Sequence, residues 1–194
     1  MRYFLYIIPL LFLLSCESKP TTKNEVYHNT QFNWTIHLPD GFEKETEEEW
    51  SEMQEKGTKA IENTFDQEVE NIGQTIFVFK KDETNYFESN FQPFNPEIDG
   101  DYITSCRQVN QIIYETFMAQ MIDIPLDSNS TTLTIDGLEF QQFNVVMNFP
   151  NGMKLTTHMF SHLFDGEELA VNIMYSDEEL GKKMMTAWKN SKFH

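Results

Sequence analysis

Five histidines, two cysteines and a dense set of carboxylates are the side chains with chemistry to offer in this chain. His158 and His162 stand four apart, the separation that on a helix brings two imidazoles onto one metal ion. The segment holding them alternates as a strand does, and four strand residues span about 13 Å, so the pair reads as two separate histidines. His28 and His194 lie near the ends of the sequence, outside any core segment. Cys106 falls on the apolar stripe of a helical segment, with Arg107 the one basic neighbour on its turn. That is the setting of a buried structural thiol and not of an activated nucleophile. No G-x-S-x-G or S-x-x-K sequence occurs, and the 8 glycines form no phosphate-cradling cluster. Asp123 to Asp127 lacks the turn glycine of a calcium loop. With 31 acidic residues, any carboxylate pair chosen for acid–base work would be a chance pair. We therefore expect no enzyme, no cofactor and no metal site.

Cys16 is the remaining chemical residue, and its setting points to modification. Arg2 supplies a small positive start, and Tyr3 to Leu14 form an apolar run interrupted only by Pro9. As a helix that run reaches roughly 18 Å at about 1.5 Å per residue, short of a hydrocarbon core of about 30 Å. It suits a cleaved export leader and not a span. Leu13-Leu14-Ser15-Cys16 resembles the lipobox of bacterial lipoproteins, with small Ser15 directly before the cysteine; Leu14 is tolerated in that pattern but is not its favoured residue. An ordinary secretory leader or a short buried helix is the alternative. The resemblance implies that Cys16 carries a thioether-linked diacylglyceride and an acylated amine, and several acyl chains anchor stably where one does not. It implies a place in the bacterial cell envelope, with the outer membrane favoured over the inner and both left open. With Cys16 lipidated, Cys106 has no partner and the mature chain has no disulfide, so a hydrophobic core must stabilise it.

The formal net charge of -17 bounds the partners. Phosphate backbones require neutralising cations, so nucleic acid is excluded, and anionic headgroups repel such a surface. The membrane link is then the acyl group. The densest acidic run, Glu43 to Glu55, reads as a solvated helix face, with a dock for a basic partner or divalent cations as the functional alternative. Aromatic residues make up 14% of the chain, 17 of them Phe, which argues for a filled core and against disorder.

These residues must be positioned by the elements around them. Residues 1–15 form the signal, and 16–30 form a lipidated N-terminus and polar tether. A single domain of residues 31–194 follows. Phe32, Trp34, Ile36 and Leu38 alternate with polar residues, a strand that Pro39-Asp40-Gly41 ends as a turn. Residues 46 to 65 read as a helix weakened at Gly57. Gln74 to Lys80 is a strand apolar on both faces. Tyr86 to Pro96 is strand or irregular, its two prolines opposing a central position. Over Asp101 to Ile122, Ile103, Cys106, Val109, Ile113, Phe117 and Met121 recur at helical spacing, with Ile112 and Met118 widening the stripe. Asp136-Gly137, Asn151-Gly152 and Asp165-Gly166 divide the rest into a four-strand meander. A two-residue turn at Asn151-Gly152 pairs Val145 with His158 and Phe143 with Phe160. Both faces of this sheet are partly apolar, so it is covered on both. A last helix starts at Ser176, with Glu179 completing a capping box.

Phe32-Asn33-Trp34-Thr35-Ile36-His37-Leu38-Pro39-Asp40-Gly41-Phe42 and the closing Ser191-Lys192-Phe193 resemble the start and end of the PsbP and Mog-type domain. The order of elements over about residues 30 to 194 resembles it too. The resemblance implies an α+β fold, a twisted, mainly antiparallel sheet with helices packed on it as an α-β-α sandwich. It also implies a domain that binds protein partners or assists assembly, with few enzymes among its members. We expect a membrane-anchored, non-enzymatic envelope lipoprotein that binds a protein partner or assists assembly of an envelope complex. The alternative is a binding module for a small apolar or lipid ligand, in a cavity between sheet and helices lined by Met118, Met121, Met184 and Met185.

Overall fold

The structure, a computed structural model, describes residues 25–194. In chain order the elements are β1 (Val26–Asn29), β2 (Trp34–His37), β3 (Glu43–Lys44), α1 (Glu47–Phe65), β4 (Gln74–Asp82), β5 (Asn85–Pro93), α2 (Pro96–Asp99) and α3 (Tyr102–Gln120). Then follow β6 (Leu126–Ile135), β7 (Leu138–Asn148), β8 (Lys154–Phe164), β9 (Glu167–Tyr175), α4 (Glu178–Lys189) and β10 (Lys192–Phe193). Seven strands form one antiparallel sheet in the order β3-β4-β5-β9-β8-β7-β6, and β1-β2-β10 form a small second sheet. The fold is α+β, as the order of elements predicts.

Strand alternation divides the large sheet into two apolar faces, each covered. On one, Phe79, Phe87, Phe140, Phe160 and Ile173 pack against Met184 and Trp188 of α4 and against the small sheet. On the other, Phe143, Val145, Met147 and Leu155 pack against Ile113, Phe117 and Met121 of α3. The centre of the first face is Trp34, fully buried, with rings of Phe77 at 5.2 Å, Trp188 at 5.7 Å and Phe193 stacked at 6.0 Å. Its indole N–H donates to Ser191 Oγ at 3.0 Å. The two ends of the domain are thus joined at the segments that carry the PsbP-type resemblance. Edge-to-face and offset ring pairs of this kind add about 0.5–1.5 kcal/mol each beyond area burial.

Five expectations change. First, the domain begins inside the expected tether: β1 pairs with β2 from Val26 opposite His37 to Asn29 opposite Trp34, and Tyr27 packs edge-on against Phe77. Second, β5 is a central strand despite its prolines. Pro93 is its last residue, and Pro96 opens α2, where a missing N–H costs nothing. Third, the β7–β8 connection is longer than two residues: Asn148 pairs with Lys154, Phe149 N donates to Met153 O, and Gly152 N to Phe149 O. The register therefore slips by one, Val145 facing Thr157 and Phe143 facing Met159, and a slip of one exchanges the faces. Fourth, α4 is capped by Asp177, which accepts from the N–H groups of Glu179 and Leu180; the Ser176 hydroxyl is instead held by Thr84, at 2.8 Å. Fifth, the α3 stripe is narrower than its sequence, since Val109, Ile112 and Met118 stay exposed.

Candidate functional site

Two features of the sheet are organised beyond what packing requires. The first is an open edge. β3 covers β4 only at Lys80 and Phe79, because the chain turns away after Lys44. Glu45 adds one more bond, its N–H to Val78 O, before Thr46 caps α1 with a capping box to Glu49. Among the described residues, Gln74 to Phe77 then have no strand partner on their outer side. A groove of about 490 Å3 runs between this edge and the start of α1, lined by Glu45, Glu47, Trp50, Gln54, Thr75 and Ile76 among others. A bulge between Thr75 and Phe77 twists the edge, which discourages indiscriminate pairing. The far edge, β6, is polar and exposed along most of its length.

The second feature is a buried polar cluster beneath the helices. Period two along β5 sends Phe87 and Phe91 to the aromatic core and Tyr86, Glu88 and Asn90 to the α1/α3 side. Glu88 is 2% exposed. Its two oxygens accept from Asn90 Nδ2 at 2.6 Å and Asn172 Nδ2 at 2.5 Å. Burial pushes its carboxyl up to about 7, against the lowering effect of both amides. Beside it, under α3, lies a cavity of about 180 Å3 bounded by Gln92, Cys106, Val109, Ile113, Phe143, Ser161, Glu168 and Asn172 among others. Gln92 Nε2 donates to Glu168 Oε2 at 2.8 Å, and the Tyr102 hydroxyl donates to Ser161 Oγ at 2.9 Å.

The residues singled out in the sequence are scattered. Cys16 lies outside the described residues. Cys106 is buried in the α3 stripe, 3.7 Å from Ser161 Oγ, with its thiol pushed up by burial. His158 and His162 both lie on β8 and serve different partners. The first bonds Asn144 Oδ1 through Nδ1 and meets Tyr175 Oη at 3.2 Å, and the second bonds Glu139 O at 2.7 Å. Burial lowers the His158 pKa, which disfavours the charged ring. His28 bonds Thr35 within the small sheet, and His194 reaches Asp136. The four methionines do not line one cavity: Met184 and Met185 pack on the α4 face, Met121 on the α3 face, and Met118 is exposed. Of the acids in the acidic run, Glu45 alone is buried, 3.4 Å from Lys80 Nζ. Glu88 was not singled out, although the alternation Tyr86-Phe87-Glu88-Ser89-Asn90-Phe91 places a carboxyl and an amide together on one face.

With this geometry in view, the chain compares with the solution structure of cyanobacterial PsbP (CyanoP) from Synechocystis sp. PCC 6803 at a TM-score of 0.54. The match covers 88% of this chain and 92% of that one at 9% identity. The fold is PsbP-like. At that identity the likeness concerns architecture alone. A crystal structure from Bacteroides thetaiotaomicron VPI-5482 aligns at a TM-score of 0.46 and 10% identity over 89% of this chain and 49% of that one, so the chain spans about half its length. No protein-family model matches the sequence, and no curated protein matches it.

Proposed function

We propose that this PsbP-like domain is a non-enzymatic envelope lipoprotein, tethered through lipidated Cys16, that receives a protein partner as an added strand along β4. The open edge from Gln74 to Phe77 carries this reading. Its outward N–H and C=O groups offer main-chain affinity, and the groove beside α1 offers side-chain pockets, the arrangement used in recognition by strand addition. A net charge of -17 selects a basic segment and repels a second copy of the chain. The bulge at Ile76 further restricts which strand fits. Among the described residues no helix is long and apolar enough to cross a membrane, so the tether supplies the attachment in this reading.

A photo-crosslinking amino acid at Thr75 of the full chain, expressed in its native membranes, tests the reading. We expect one discrete adduct from Thr75 and none from Thr131 on the opposite edge, with the Thr75 adduct lost on Cys16→Ala. Equal adducts from both edges, or none from Thr75, would refute strand addition at β4. An adduct that persists without Cys16 would refute the need for the anchor.

A further inference from the structure

The cavity under α3 has a polar end whose hydrogen-bonding sense is fixed by its own contacts. An ionised carboxylate only accepts, so with Glu88 ionised, at a pH above about 7, the amide nitrogens that meet Glu168 and Glu88 are the donors. Gln92 is thereby oriented with Nε2 on Glu168, and Asn172 with Nδ2 on Glu88. That leaves both amide oxygens as acceptors on residues that line the cavity with Glu168, together with Asn110, Gln141 and Ser161, which can donate as well as accept. No Lys or Arg lines this cavity, and Arg107 instead borders a separate depression with Asn129 and Ser130. Val109, Ile113 and Phe143 supply an apolar wall opposite.

Size narrows the choice further. A dry cavity of about 150 Å3 admits benzene, and this one is about 180 Å3. It suits a compound of few heavy atoms, below the usual range of about 300–1,000 Å3 for drug-sized ligands. An anion would meet the Glu168 carboxylate and no cation. A neutral alcohol would satisfy one acceptor and leave the others unmet.

We propose that this cavity binds a small organic ammonium ion, its head among Gln92, Glu168 and Asn172 and its apolar body against Val109, Ile113 and Phe143. An ammonium group has three donors and no acceptor, which matches the amide oxygens of Gln92 and Asn172 and the Glu168 carboxylate. The site is separate from the β4 edge and stands whether or not a strand is added there.

The test uses n-butylammonium as the probe, with butanol and butyrate for comparison, titrated at pH 8 into the full chain in detergent micelles. Methyl-labelled methionine reports the site. Met159 lines the cavity, and Met184 lies on the opposite face of the sheet as an internal check of folding. Butylammonium should shift the Met159 methyl saturably, at least tenfold more tightly than butanol or butyrate, and leave Met184 unmoved. Glu168→Gln should weaken binding at least fivefold. Val109→Trp, at a position 47% exposed and so tolerant of bulk, should block the mouth and abolish the shift. The proposal is overturned if Met159 does not respond or if butanol binds as tightly. It is overturned equally if both variants bind like the original, since the ion would then be held by the diffuse acidic surface.

Discussion

A carboxyl that is 2% exposed, with two amide partners and no cation against it, is held where ionisation is most costly. Because the folded state raises Glu88 from 4.5 to about 7, its contribution to stability is full below pH 4.5 and is lost as pH rises through 7. The loss amounts to about 3 kcal/mol. Glu88→Gln should therefore leave stability near pH 4.5 almost unchanged and raise it at pH 8 by up to that amount, read as the difference between paired urea titrations. Equal effects at both pH values would show that burial does not control this group. Asp136 has the opposite sign. Lys192, the Phe193 N–H and His194 hold its carboxyl below the usual range, so its contribution is present at neutral pH and lost on acidification. Residue-level legibility followed burial. Trp34 and Cys106 were readable because each falls on an apolar period. Glu88 was not, because one acid among 31 carries no mark of being buried until its strand has neighbours.

Elements were legible where local chemistry decides them and less so where a tertiary partner does. The hairpins at Asp136-Gly137 and Asp165-Gly166 form as two-residue turns with both residues of each at positive φ, a conformation for which Asp-Gly is suited. Asn151-Gly152 carries the same signal, yet Pro150 precedes it and the turn opens at Phe149, which moves the register by one. The start of α4 shows the same limit at a helix end. Ser176 and Asp177 are both good caps by type, and Thr84 and Asn85 of the neighbouring hairpin take Ser176 for themselves. Asp177→Ala should then cost about 1 kcal/mol by removal of a cap. Its signature is faster amide exchange at Glu179 and Leu180, whose N–H groups lose their acceptor. Ser176→Ala should leave those two amides protected; faster exchange there in the serine variant would return the cap to Ser176.

At the scale of the whole molecule, the two-sided covering of the sheet follows from apolar residues on both of its faces, and the two ends of the domain meet at Trp34. The open edge of β4 was not legible. It arises because the chain leaves the sheet at Glu45 to enter α1, and nothing in Glu43 to Glu47 shows how little of β4 that covers. The proposed anchor at Cys16 lies outside the described residues, and the described domain has its own core. A Cys16→Ala chain should lose labelling by radioactive palmitate and unfold at the same urea concentration as the unaltered domain. A lowered midpoint would mean that the tether contributes to the fold. The central claim is that a partner adds a strand to β4, and amide hydrogen exchange on the domain with and without its crosslinked partner tests it most directly. Protection should rise within Gln74–Val78 and stay unchanged along Leu126–Ile135; unchanged exchange at Gln74–Val78 in the presence of the partner would contradict it.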